Sequence, residues 1–169
     1  IDESDIRAVT ETLASDFITT GPKVAEFEKA VCEFTGAKFA VAVSSGTAAL
    51  HCAVHSAGIR SGDEVIVSPM TFAASANCIL YCGGIPVFSD VCNDNLLLDP
   101  QKIEEKITPK TKAIIAIDYA GQSCDYDEIA KIAKKFNLLL ISDACHSIGG
   151  KYKKRSVGTL ADMTCFSFH

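Results

Sequence analysis

Asp143 closes the apolar run Leu138-Leu139-Leu140-Ile141, and its type and place suggest chemistry. A run of this kind reads as a strand buried on both faces, as in the middle of a parallel sheet. Ligands of open α/β sheets bind beyond the carboxyl ends of the strands, so a carboxylate delivered there can face a ligand. The plain alternative is a cap on the turn that follows. His146 stands in that turn, where a lone histidine is as readily structural as functional. A second signature is Ser44-Ser45-Gly46-Thr47-Ala48-Ala49-Leu50, where the apolar stretch Phe39 to Val43 runs into small residues and then a helical pattern. The first turn of such a helix offers unpaired N–H groups and a positive dipole end to an anion such as phosphate. An ordinary small-residue helix start is the other reading. Phe72 follows the strand Glu64 to Val67 in the loop Ser68-Pro69-Met70-Thr71-Phe72, where it either packs in the core or offers a flat ring to a ligand.

Other constellations carry less. His51 and His55 stand four apart on the helix after the small-residue turn, a spacing compatible with a metal, but no glutamate accompanies them. Cys78 and Cys82 share a helix face in the manner of packed side chains. Lys151, Lys153, Lys154 and Arg155 read as a solvated hairpin, with attraction of an anionic ligand as a secondary role. Asp118-Tyr119-Ala120-Gly121-Gln122 is a further polar cluster at the carboxyl end of an apolar run, Lys112 to Ile117.

These residues need a scaffold, and the hydrophobic pattern supplies one. Helical spacing is weak over Asp5 to Leu13 and clear at Val24, Phe27, Val31 and Phe34, with Gly36 as a stop. Phe39 to Val43, Glu64 to Val67, Ile85 to Phe88, Lys112 to Ile117, Leu138 to Ile141 and Met163 to Phe168 read as strands. Between them lie helices: one through about Tyr81, one begun by Asp99 and Pro100 with Ile103 and Ile107 on a face, and one bearing Ile129, Ile132, Ala133 and Phe136. Strands alternating with helices predict an α/β fold with a mostly parallel sheet and helices on both faces, in one domain.

The totals agree with small-molecule chemistry. The chain has 169 residues, is 48% hydrophobic and carries a formal charge of −5, with no long basic block and no apolar run of membrane-spanning length. Nucleic acid and membrane are therefore not expected as partners. Its eight cysteines are scattered singly through predicted helices and strands with no CxxC pair, which fits a reducing, cytoplasmic compartment better than a disulfide scaffold.

A phosphate cradle, an aromatic face and a carboxylate at strand ends together match the needs of pyridoxal phosphate. Its phosphate suits a helix N-terminus, its ring a flat apolar face, and its pyridine nitrogen a buried carboxylate that keeps it protonated. The segments SSGTAAL, SPMTFAASAN, SDACHSIGG and TCFSFH, in that order, resemble the sugar-nucleotide aminotransferases of the DegT/StrS type, which are fold-type I pyridoxal phosphate enzymes. IDESDI, TTGPKVAEFEKAV and IDYAGQSCDYDEI are similar to the branch of pseudaminic acid biosynthesis, which aminates C4 of a UDP-linked 4-keto-6-deoxy-N-acetyl hexose.

The resemblance implies a three-layer α/β/α fold, the large domain of fold-type I enzymes, incomplete here. Residues 1–169 would be the N-terminal part of that pyridoxal phosphate domain, with the small C-terminal domain outside the chain. It implies that Gly46, Thr47 and Ala48 hold the phosphate with Ser167, that Phe72 stacks on the ring, that Asp143 pairs with the pyridine nitrogen, and that His146 lies near the phenolic oxygen. Thr19, Thr20 and Gly21 would approach the substrate, or else form an ordinary loop. No catalytic residue is expected within the chain, because the Schiff-base lysine of the family falls just past His169. The implied partners are a nucleotide sugar and glutamate, and the implied assembly a homodimer. Two other outcomes fit the same residues: a dehydratase of the same family with histidine in place of that lysine, or a truncated product without catalysis.

Overall fold

The computed structural model describes residues 1–168 and divides into two compact units, one ending at Ala42 and one beginning at Val43. The first unit holds helices α1 (Glu3–Leu13) and α2 (Pro22–Thr35). Asp2 and Asp5 form a reciprocal capping box at the start of α1. Pro22 opens α2, and Gly36, at φ +81°, ends it in the left-handed conformation that a side chain would resist.

Phe39 to Val43, read from its alternation as a strand, pairs with no strand among the described residues. Extended backbone becomes a strand only where a neighbour takes its N–H and C=O groups. Here the Ala42 N–H donates to the Glu28 carboxylate at 2.8 Å, and Phe39 and Val41 are 78% and 80% exposed.

The second unit is built on a five-stranded parallel sheet. Its elements are α3 (Gly46–Ser56), β1 (Glu64–Val67), α4 (Ala74–Tyr81), β2 (Ile85–Phe88), α5 (Pro100–Ile103), β3 (Thr111–Ile117), α6 (Tyr126–Phe136), β4 (Leu139–Asp143), the hairpin strands β5 (Lys151–Tyr152) and β6 (Arg155–Ser156), and β7 (Met163–Cys165). The order across the sheet is β2-β1-β3-β4-β7, so the chain reverses its direction of growth between β1 and β3.

Alternation within the strands feeds two cores. Ile66, Ile114, Ala116 and Leu140 face Ile103 of α5 and Ile129, Ile132 and Ala133 of α6. Val65, Val67, Ala113, Ile115, Ile117 and Ile141 face Leu50 and Val54 of α3 and Ala74, Cys78 and Ile79 of α4. The expected three-layer α/β/α architecture is thus present, with β4 contributing to both faces. Each fully buried isoleucine stabilises by about 1.5–3 kcal/mol, so the core fixes where β4 ends.

Two elements are shorter than their patterns suggest. The helix begun by Asp99 and Pro100 tightens into a 3-10 turn at Glu104–Lys106, and Ile107 lies beyond it in extended backbone. Thr108 precedes Pro109 and cannot continue a helix, so the tightening ends the element in time. The last strand pairs only over Met163–Cys165, opposite Ile141 to Asp143.

Candidate active site

Parallel strands put all their carboxyl ends on one edge of the sheet, and the chemically interesting residues follow those ends. Phe72 follows β1, Asp118 follows β3, Asp143 ends β4 and Ser167 follows β7. The register sets Asp143 beside Ile117 on one neighbour and Cys165 on the other. This edge, next to the point where strand order reverses, is where open α/β sheets bind ligands.

Asp143 is 6% exposed. Its Oδ2 accepts from the Ser75 hydroxyl at 2.6 Å, and its Oδ1 from the Cys145 N–H at 3.3 Å. The second bond is the turn cap expected as the plain alternative, so that role is present as well. Two donors leave a carboxylate with room for another, since its oxygens offer about four lone-pair sites. The thiols nearby stay protonated at neutral pH: burial first, and the Asp143 charge next, push Cys78 and Cys165 up to about 12 and raise Cys145 too. No thiolate therefore competes with the Asp143 charge.

Gly46, Thr47 and Ala48 form the first turn of α3, capped by Ser45, whose hydroxyl accepts from the Ala48 N–H at 3.1 Å. That bond uses the Ala48 donor locally, while the N–H groups of Gly46 and Thr47 have no acceptor within the helix. Ser167 lies against this turn. A Cβ added at Gly46 would stand 3.0 Å from the Ser167 Cβ, 3.3 Å from its Oγ and 3.1 Å from the Cys145 Sγ. Close approach therefore favours glycine at position 46, and the same approach brings a second hydroxyl to the helix N-terminus.

Phe72 is 77% exposed, so it is not core; its ring stands out from the loop between β1 and α4. His146 is exposed in the turn after Asp143. Thr19, Thr20 and Gly21 belong to the first unit, where Gly21 is the N-cap of α2. His169, the last residue of the TCFSFH segment, lies outside the described residues.

The remaining constellations have structural partners. The His51 ring packs edge-on against Tyr81 at 5.4 Å. Among the described residues, no group of three His, Cys, Asp or Glu side chains converges as a metal site. The basic hairpin is solvated as expected, with all four cations exposed, and Lys153, at 2.9 Å, and Arg155 also pair with Asp127 of α6.

Sequence reasoning missed Ser75 and underrated Asp118. Ser75 is fully buried in the first turn of α4 and bridges Asp143 to Thr71 Oγ1, itself 2.6 Å away. Its only signal is a small polar residue in the first turn of a mostly apolar helix. Asp118 is 1% exposed and accepts from Cys124 N–H, Tyr126 O–H and Ser147 O–H. Burial raises its carboxyl above the usual range, against the pull of those three donors.

The chain is similar to solved and curated proteins. The chain is 47% identical over 169 residues to the spore coat polysaccharide biosynthesis protein SpsC of Bacillus subtilis, spanning all of this chain and 43% of that one. It is 43% identical over 172 residues to a UDP-4-amino-4,6-dideoxy-N-acetyl-beta-L-altrosamine transaminase of Campylobacter jejuni, spanning all of this chain and 45% of that one. The Streptococcus pneumoniae protein Spr1654, assigned as a sugar aminotransferase and solved in its PLP-form, superposes with a TM-score of 0.95 at 38% identity, over 100% of this chain and 47% of that chain. This chain therefore spans less than half the length of these relatives. With the profile of the family matching residues 1–169 from end to end, the fold and the ordered strand-end residues meet in one conclusion: the chain belongs to the DegT/DnrJ/EryC1/StrS aminotransferase family.

Proposed function

We propose that this chain is the N-terminal part of the cofactor-binding large domain of a pyridoxal phosphate-dependent aminotransferase acting on a nucleotide-linked 4-keto-6-deoxy sugar, with glutamate as amino donor. The UDP-linked N-acetyl hexose is the preferred substrate, by likeness to the Campylobacter jejuni transaminase. The observation that carries the reading is Asp143: a buried carboxylate at a central parallel strand end, on the same sheet edge as a glycine-opened helix N-terminus and an exposed aromatic ring.

The residues fit the group. Gly46 and Thr47 would hold its phosphate through backbone N–H groups, helped by the hydroxyls of Thr47 and Ser167. Ala48 would contribute by completing the turn, since its own N–H serves Ser45. Phe72 would cover one face of the ring, Asp143 would keep a proton on the pyridine nitrogen, and His146 would face the phenolic oxygen. When bound, pyridoxal phosphate supplies the electron-withdrawing ring and reactive carbonyl through which an amino group passes from donor to acceptor. Ser75 would keep the Asp143 carboxylate from turning away. By the family resemblance, Thr20 and Gly21 would approach the substrate.

A cytoplasmic homodimer completes the reading. Eight cysteines, none in a disulfide, support a reducing compartment, and the exposed Leu80, Tyr81, Ile85 and Phe88 around edge strand β2 support a subunit contact. The test is turnover by the complete protein with glutamate and a panel of UDP-, dTDP- and GDP-linked 4-keto sugars. Amination of the UDP-linked N-acetyl sugar is expected, and loss of at least a hundredfold in Asp143→Ala, on the order of 3 kcal/mol. Loss of a hydroxyl without amination would overturn the assignment, as would undiminished turnover in Asp143→Ala.

A further inference from the structure

Asp118 takes no part in the chemistry assigned above, yet it is more deeply buried than Asp143. Placing a carboxylate there is costly unless every lone pair facing the protein finds a donor. Asp118 finds three, all neutral. The Cys124 N–H at 3.0 Å and the Tyr126 hydroxyl at 2.8 Å meet Oδ1, and the Ser147 hydroxyl at 2.7 Å meets Oδ2.

What these bonds hold is the segment that carries Asp143 and His146. The Asp118 N–H donates to the Asp143 carbonyl at 3.0 Å, so residue 118 grips the turn at its start. Through Ser147 it grips the same turn at its end. Tyr126, whose proton goes to Asp118, accepts from the Ser142 hydroxyl at 2.5 Å. Gly121, at φ +86°, allows the His146 carbonyl to come close: a Cβ there would stand 3.0 Å from that oxygen. Inside the turn, the Ser147 N–H donates to Ala144 at 3.0 Å and the Gly150 N–H to Ser147 at 2.9 Å. The β3 turn is therefore tied to residues 142, 143 and 147, and packs on 146, while Ser75 of α4 holds the Asp143 carboxylate from the other side.

We propose that Asp118 is a positioning residue: by gripping Ser147 and the Asp143 carbonyl it fixes the turn that aims the Asp143 carboxylate and presents His146 to the ligand. The inference rests on the cofactor reading above, because it assigns Asp118 a role in cofactor affinity and not only in folding. Neither its charge nor its acidity is used. What matters is a fixed hydrogen-bonding group at the end of β3, which an amide can supply: its oxygen accepts from Cys124 and Tyr126 as before, and its N–H donates to the Ser147 oxygen in place of accepting from it.

The experiment uses the complete protein and three variants, Ser147→Ala, Asp118→Asn and Ile103→Ala. Ile103 is a buried core residue of α5 outside this network, and its truncation serves as a control for lost stability. For each protein the dissociation constant for pyridoxal phosphate is measured by absorbance titration, together with the pH at which the visible band of the bound cofactor changes and the thermal midpoint. Ser147→Ala is expected to weaken cofactor binding about tenfold and to move the pH midpoint of the band. Asp118→Asn is expected to stay within about threefold of the unmodified protein. Ile103→Ala is expected to lower the thermal midpoint at least as much as Ser147→Ala while leaving cofactor affinity within about twofold. Equal weakening by Ser147→Ala and Ile103→Ala would overturn the inference, as would unchanged affinity and band in Ser147→Ala. An unmodified protein that binds no pyridoxal phosphate would overturn the proposed function itself, and this inference with it.

Discussion

The bond between Ser75 and Asp143 offers the most direct test of how the site is built. Its two residues lie 68 positions apart in sequence, on α4 and β4, and both are buried. At 2.6 Å it is a short, charge-assisted hydrogen bond, a type that contributes about 1.5–3 kcal/mol. Ser75→Ala keeps the Cβ and opens no large cavity, so the expected loss is mainly this bond. Ser75 also shares a 2.6 Å bond with Thr71, so the single variant alone overstates the pair. A double-mutant cycle with Asp143→Ala removes that contribution, because the Thr71 term appears in both arms. The coupling between Ser75 and Asp143 should be about 1.5 kcal/mol or more, read from denaturant unfolding of the cofactor-free complete protein by far-UV circular dichroism. Ser75→Ala should also weaken pyridoxal phosphate binding about tenfold in the native background and hardly at all in Asp143→Ala. A coupling below about 0.5 kcal/mol, or equal weakening of the cofactor in both backgrounds, would refute the claim that Ser75 holds the carboxylate.

Gly46→Ala should destabilise by about 1–3 kcal/mol and weaken binding of pyridoxal phosphate, because its methyl meets Ser167 and Cys145 at 3.0–3.1 Å; unchanged stability and affinity would show that the turn has slack. Ser45→Ala should cost about 0.5–2 kcal/mol through loss of the α3 cap, measurable by denaturant unfolding. Asp118 has a carboxyl raised by burial, so between the ordinary carboxylate range and its raised value the native state binds more protons than the unfolded one. Its contribution to stability therefore falls as pH rises through that window, and Asp118→Asn should remove that part of the slope in unfolding measured against pH. Iodoacetamide followed by mass mapping should modify the exposed Cys52 in the native protein and spare Cys78, Cys124 and Cys165 until denaturant is added.

Much of the fold is legible in the sequence, for a local reason. Period-two and period-3.6 patterns, a proline at a helix start and a glycine at its end act within a few residues, so β1 to β4 and the helices between them could be placed from their own side chains. The two misread strands share the opposite cause, whereas the shortening of α5 before Pro109 is itself local. Phe39 to Val43 has the alternation of a strand, but strand formation depends on a neighbour, and no pattern within five residues records whether one is beside it. The apolar pattern of Met163 to Phe168 outruns the strand for the same reason, since only Met163–Cys165 finds partners on β4.

For the site, the sequence by itself placed Phe72 and Asp143 beyond apolar strands and Gly46 and Thr47 at a helix start, while Ser167 and the role of His146 follow from the family resemblance. What only the tertiary structure decided is what each of them touches. Gly46 meets Ser167 because β7 lies at the sheet position next to β4 and below α3; Asp143 meets Ser75 because α4 covers that face; Asp118 meets Ser147 because β3 is the neighbour of β4. Strand order is settled by how helices cover both faces of the sheet and bury the two cores together, a property of the whole chain that no single segment carries.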